Sequence, residues 1–172
     1  MKCVKKLLLL ALLLTFGFTT CAECQDLTST LAAFVPLIGP SWIGNFISRP
    51  SISFDHFMEW SVILDGQVVQ WSKRVPEIGF IRETFFYWDE DLAAVAFTQL
   101  ANNGRHGKGV VEVDDSVITL VGIATSTAEV VDFRQSFQIT DDGTLGDRFF
   151  SLKNGVWELE HVIIYHQSQA VE

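Results

Sequence analysis

The sequence predicts an all-β protein: a ten-stranded antiparallel up-and-down β-barrel with a short N-terminal helix. Three observations carry this. Strand-like runs rich in Val, Ile, Phe, Trp and Thr follow one another from Trp42 to Tyr165 at short spacing. The gaps hold tight-turn signals, at Asp65-Gly66, Asn102-Asn103-Gly104, Asp142-Gly143 and Asn154-Gly155; Asp-Gly and Asn-Gly suit type I′ hairpins, whose two central residues take positive φ. No long crossover interrupts the series, and a long meander removes its two edges most simply by closing on itself.

The chain has 172 residues, of which 48% are hydrophobic and 19% charged, enough for one domain with a packed core. Part of the apolar content sits at the N-terminus. Met1, Lys2, Lys5 and Lys6 form a basic start, Leu7 to Leu14 is a run of Leu and Ala, and a Thr- and Phe-containing exit follows. This is the layout of a secretory signal over residues 1–22, too short to span a membrane comfortably. The expected destination is outside the cytoplasm, periplasmic or extracellular. A cut after Ala22 and lipid attachment at Cys21 both remain open, and only the second would tie the protein to a membrane.

All three cysteines, Cys3, Cys21 and Cys24, lie in or beside this segment. The remaining domain therefore has no disulfide, thiol nucleophile or thiolate metal ligand. The whole chain carries a net charge of −9. Removing residues 1–22 takes away three lysines and no acid, leaving nine basic against 21 acidic residues, a net charge of −12. Such a surface repels phosphate backbones, so no nucleic-acid partner is expected.

Asp26 to Leu37 reads as a helix capped by Asp26 or Thr28, with Leu27, Leu31, Phe34 and Val35 on one face. Pro36 and Gly39-Pro40 stop it, and residues 23–38 are expected to plug one end of the barrel. Ten strands follow over 39–168: Ser41–Ile47, Ile52–Leu64, Gln67–Arg74, Phe80–Trp88, Ala93–Leu100, Gly107–Val113, Val117–Ala124, Glu129–Ile139, Leu145–Leu152 and Val156–His166.

Alternation assigns faces. In the second strand His56, Met58, Trp60, Val62 and Leu64 share the apolar side. In the eighth, Phe133, Gln135 and Phe137 do, and in the last, Trp157, Leu159, His161, Ile163 and Tyr165 do. His56, Gln135 and His161 are thus expected to point inward. The fourth strand is aromatic on both faces, so either Arg82 or Glu83 faces the interior.

Gly39-Pro40-Ser41-Trp42-Ile43-Gly44 resembles the entry to strand one in the calycin superfamily, which includes lipocalins, fatty-acid-binding proteins and nitrobindins. Gly39 and Trp42 match its Gly-x-x-Trp feature, and Gly44 matches a nitrobindin-like Trp-x-Gly variant. Trp60 to Gly66, Glu83 to Asp89, and Asp142 to Tyr165 are similar to bacterial calycin-like domains. The resemblance covers nearly all of 39–166. It implies a closed barrel with an interior ligand site and Trp42 across its floor. It also implies that His161 is placed like the heme ligand of nitrobindins.

These readings define the candidate ligand-binding residues: His161, His56, Arg82 and Gln135 as polar anchors, and Trp60, Trp88, Phe137 and Trp157 as walls. The expected ligand is a small hydrophobic or amphipathic molecule. An inward Arg82 would grip an anionic head group bidentately. The bland readings are a core histidine at 161, an Arg82 paired with Glu83 or solvated, and aromatics that simply fill the barrel. Two histidines alone make an incomplete zinc site, so no metal is assigned. No cofactor is assigned either, heme at His161 being the one alternative. Gly104-Arg105-His106-Gly107-Lys108-Gly109 lacks the helix N-terminus of a phosphate loop and reads as a hairpin turn. No catalytic motif is present, which favours a binding protein, with a pocket-type isomerase using His161 and a structural barrel with a filled core as alternatives.

Overall fold

In a computed structural model, residues 27–51, 53–126 and 128–168 are described. The proposed signal segment, its cysteines, Asp26 and Ile52 lie outside the described residues. The strands are β1 (Ser41–Phe46), β2 (His56–Ile63), β3 (Val68–Val75), β4 (Phe80–Asp89), β5 (Ala94–Ala101), β6 (His106–Asp114), β7 (Val117–Thr125), β8 (Val130–Ile139), β9 (Leu145–Lys153) and β10 (Val156–Gln167). Each pairs antiparallel with its sequence neighbours, and β1 pairs with β10 from Trp42↔Gln167 to Phe46↔Ile163, so the barrel closes. Closure leaves no edge strand.

The hairpin turns use the residues their geometry demands. Asn154 and Gly155 take φ of 51° and 79°, as a type I′ turn requires. At Asp142-Gly143 only Gly143 has positive φ (80°), so this turn departs from the expected pair; Asp142 instead accepts hydrogen bonds from Thr140, Thr144 and the Thr144 backbone. Leu64 sits in the β2–β3 turn with φ of 51° and is exposed, which corrects its expected inward position.

The N-terminal element is a 3-10 helix over Ser29–Leu37. Its period of three places Leu31, Phe34 and Leu37 inward and turns Val35 to solvent, correcting the face expected from an α-helical period. Thr28 occupies the N-cap position without a side-chain cap. The helix closes one end of the barrel. Phe34 packs on Phe86 at 4.6 Å and Trp60 at 5.8 Å, and Trp42 donates from Nε1 to the Leu37 carbonyl (3.4 Å).

Beneath the helix the lumen is filled by rings. Trp60 stacks on Trp71 (5.3 Å) and Phe86 (5.5 Å), and Phe137 meets both tryptophans edge-on. Phe97 and Phe133 continue the layer. Fully burying a ring of this size contributes about 1.5–3 kcal/mol, so this half carries much of the stability. Gly109 and Gly122, paired across β6 and β7, make room for Phe97; a Cβ on Gly122 would stand 2.8 Å from its ring and 2.2 Å from the Lys108 carbonyl.

One irregularity re-aims side chains. The β9–β10 register shifts between Leu159 and His161, a β-bulge at Glu160. One inserted residue reverses the alternation that follows it. His161, Ile163 and Tyr165 stay in the inward phase, while Leu159 is half exposed and Trp157 lies under the Arg134 guanidinium at 4.6 Å. Arg134 is exposed on the outer face of β8, so Trp157 faces outward, which corrects its expected role as an interior wall. The bulge is held from β1's exit: Arg49 donates to the Glu160 carbonyl (3.0 Å) and Ser48 accepts from the Val162 amide (2.9 Å). The Glu160 side chain accepts from Ser151 and pairs with Lys153 and Arg49.

Candidate functional site

The strand ends opposite the helix supply a different set of inward side chains. These are His56 at the start of β2, Lys73 near the end of β3, and Arg82 and Thr84 at the start of β4. Gln99 on β5, Gln135 on β8, Asp147 on β9, and His161 and Tyr165 on β10 complete the set. Each occupies the inward phase of its strand, and together they form a polar layer inside a closed barrel. Gly44 admits Tyr165 to it, since a Cβ there would lie 2.5 Å from the tyrosine ring.

Asp147 organises this layer. It is fully buried; its Oδ1 accepts from Gln135 Nε2 at 2.7 Å and its Oδ2 lies 3.6 Å from Lys73 Nζ. Lys73 is directly opposite Arg82 in the β3–β4 register, so two cations share one wall. The Arg82 guanidinium leans over the Trp71 ring at 4.3 Å, and Lys73 Nζ lies 5.8 Å from the Tyr165 ring. Phe46 stands edge-on to both imidazoles, 4.6 Å from His56 and 5.2 Å from His161, and Phe149 stacks on His161 at 5.1 Å.

Many polar atoms here have no protein partner. Both nitrogens of His56, Nε and Nη2 of Arg82, Oγ1 of Thr84, Nε2 of Gln99, Oε1 of Gln135 and the Tyr165 hydroxyl are buried without a hydrogen bond. Leaving one such group unpaired costs about 1–3 kcal/mol, more when charged, and native proteins hold few of them.

Burial and the neighbouring charges set the protonation states. Burial, reinforced by Lys73, lowers His56 to about 3. Burial lowers His161 to about 4, with Asp147 opposing the shift. Burial brings Lys73 down to about 8; Asp147 opposes this and Arg82 adds to it. Burial raises the Tyr165 hydroxyl well above its usual range. At neutral pH both imidazoles and the phenol are therefore neutral, and two basic groups face one acid.

An acid sensitivity follows. Unfolded histidine binds a proton below about 6.5, whereas His56 and His161 resist protonation in the barrel down to about 3 and 4. The unfolded state holds more protons between these limits, so stability falls as pH drops below about 6.5. His56→Gln should flatten that decline, as measured by denaturant midpoints from pH 7 to pH 4. An equal slope in the variant would mean that His56 is protonated in the folded protein.

The structure gathers four of the anticipated anchors, His161, His56, Arg82 and Gln135, into this layer. Arg82 is the inward member of the ambiguous pair; Glu83 faces outward and accepts from Ser72 (2.7 Å) and Gln70 (3.0 Å), so the expected Arg82–Glu83 pairing is replaced. Trp60 and Phe137 face inward but are sealed in the aromatic half at 2% and 1% exposure. Trp88 shares the strand phase of Arg82, Thr84 and Phe86 but is 38% exposed at the helix end of β4, beside the turn. Lys73, Asp147, Gln99, Thr84 and Tyr165 were not among the expected anchors. Their signal was a polar side chain in phase with apolar ones, as in Val69-Trp71-Lys73-Val75 and Leu145-Asp147-Phe149.

Two open depressions flank the helix, of about 590 and 290 Å³. No residue of the polar layer lines either of them. Among the described residues no group of three or more His, Cys, Asp or Glu could hold a metal ion. No helix there is long and apolar enough to cross a membrane. No family model and no curated protein matches the chain.

Proposed function

We propose that this chain is an exported, calycin-like binding barrel that holds a small amphipathic ligand in the polar end of its lumen. The observation that carries the reading is the set of buried, unpartnered polar atoms on Arg82, His56, Gln99 and Tyr165. A ligand with an anionic group would satisfy the Arg82 donors and balance the surplus of positive charge over Asp147. Phe46, Phe149 and His161 offer it an apolar rim; Phe149 and His161 are only partly buried. The packed aromatic half leaves no length for an extended hydrocarbon tail, so the ligand is compact. The secretory-type N-terminus and the Gly39/Trp42 feature support the exported and calycin-like parts of the reading.

Heme fits these residues poorly. The His161 imidazole is neutral, but Phe149 and Phe46 close on its ring, and the charged Lys73–Asp147 pair and Arg82 occupy the same layer. The reading is tested by native mass spectrometry and an absorption spectrum of protein recovered from its natural compartment. A bound small mass is expected. Arg82→Met should weaken rebinding of the recovered ligand roughly 10- to 100-fold, the worth of a charged hydrogen bond. An apo mass together with unchanged melting across small carboxylates would leave a structural barrel with a filled core.

A further inference from the structure

We propose that Lys73 is a carbonyl-reactive amine, and that the ligand class of the lumen is a short oxo acid. Its carboxylate would be held by Arg82 and its aldehyde or ketone carbon attacked by Lys73 Nζ. The inference rests on the binding reading above and names the substrate class of that same site.

Three features of the layer point this way. Lys73 is 5% exposed and lies in a closed lumen, where an ammonium is costly to keep. Its cross-strand partner is another cation, Arg82, and a neighbouring cation is one of the ways proteins free a lysine amine for nucleophilic work. The acid in contact, Asp147, already accepts a hydrogen bond from Gln135, and its remaining oxygen stands 3.6 Å from Nζ. Lysine titrating near 8 leaves a usable fraction of neutral amine at neutral pH. Arg82 and Lys73 are direct cross-strand neighbours, so a molecule bridging them carries its carboxylate and carbonyl only a few bonds apart.

The step balances without a further reactant. The Nζ lone pair attacks the carbonyl carbon, a C–N bond forms, and the carbonyl electron pair moves to oxygen. Asp147 Oδ2 relays one proton from nitrogen to that alkoxide, giving a hydroxyl, and then a second from nitrogen to the hydroxyl. Water leaves, and an imine remains between Lys73 and the ligand.

The test is reductive trapping. Purified full-chain protein is treated with pyruvate or glyoxylate and cyanoborohydride, followed by intact mass and peptide mapping. Lactate, which has the carboxylate but no reactive carbonyl, serves as the binding control in thermal melts. A single adduct at Lys73 is expected, competed by lactate and absent in both Lys73→Arg and Lys73→Met. Lys73→Arg keeps the charge, so its melting temperature reports whether the barrel is intact. Trapping should slow at least tenfold in Arg82→Met and rise with pH to a plateau above about 8. Adducts scattered over surface lysines and unchanged in Lys73→Arg would overturn the inference. Stabilisation by both lactate and pyruvate without an adduct would also overturn it while leaving the binding reading in place. No stabilisation by either, and no adduct, would overturn both.

Discussion

Replacing Asp147 with Asn is expected to be among the most damaging single changes in this barrel. The carboxylate is fully buried and, among the described residues, is the one acid beside Lys73 and Arg82 in the lumen. Removing one member of a buried charge cluster typically costs about 3–5 kcal/mol, because the remaining charge is left uncompensated. For a chain of this size that corresponds to a fall of roughly 10 °C in melting temperature. The loss should depend on pH. Lys73 already binds its proton less tightly in the barrel (about 8) than in the unfolded chain. The unfolded state therefore holds more protons between about 8 and the unfolded lysine value of about 10.4, and stability rises with pH across that window. Without Asp147 the folded value drops further and the window widens downward. Thermal melts at pH 7 and pH 9.5 should thus show a partial recovery that is larger in Asp147→Asn than in the parent. The double variant Asp147→Asn/Lys73→Met should regain most of the loss. A fall below about 1 kcal/mol at pH 7, with no gain from the second substitution, would mean that the layer is well hydrated and its charges are already screened.

Trp60→Ala should destabilise the barrel by about 3–5 kcal/mol, the usual cost of truncating a buried large ring. Trp60 is 2% exposed and touches Phe34, Trp71, Phe86 and Phe137, so its removal opens a cavity that neighbours on four elements cannot all relax into. Affinity for ligands of the polar layer, measured on the folded fraction, should change less than about threefold. Trp157→Ala is the matched control. It removes an outward ring under Arg134, a contact worth about 0.5–1 kcal/mol, and should cost little more than that. A Trp60→Ala protein with parent-like melting and lost ligand binding would place the ligand in the aromatic half.

How much of this was legible in the residues differs by element. The strand count and sequence order follow from turn chemistry and β-rich runs, both local. Among the described residues the boundary deviates most at β2, which begins at His56, because hydrophobic alternation continues into the preceding residues, of which 53–55 carry no strand pairing. The N-terminal helix takes a period of three where the sequence predicts an α-helical face. Its sequence carries apolar residues at both three- and four-residue spacings, and only the fit of Leu31, Phe34 and Leu37 over the rings below selects three.

The site was half visible. Histidines and Gln135 on apolar strands stood out, since a polar residue inside a hydrophobic phase is unusual. Lys73 and Asp147 obeyed the same logic but lay on strands whose faces carry charge on both sides, as Lys73-Arg74 and Asp147-Arg148 show. Their importance comes from meeting across the lumen, between β3 and β9, and nothing local encodes that meeting.

By itself the sequence determined an all-β meander of ten strands, a short helix before it, and a set of inward polar residues that a plain core would not need. These depend on propensity, turn geometry and period-two alternation, which act between neighbours. The closure of β1 onto β10 bears out the barrel that the uninterrupted meander predicts. Tertiary structure alone decided three things. It reversed the phase of β10 through the bulge at Glu160, sending Trp157 out while keeping His161 in. It chose Arg82 over Glu83 for the interior. It brought Lys73, Arg82 and Asp147 into one buried layer. Each is fixed by which packing leaves the fewest rings exposed and the fewest charges unpaired.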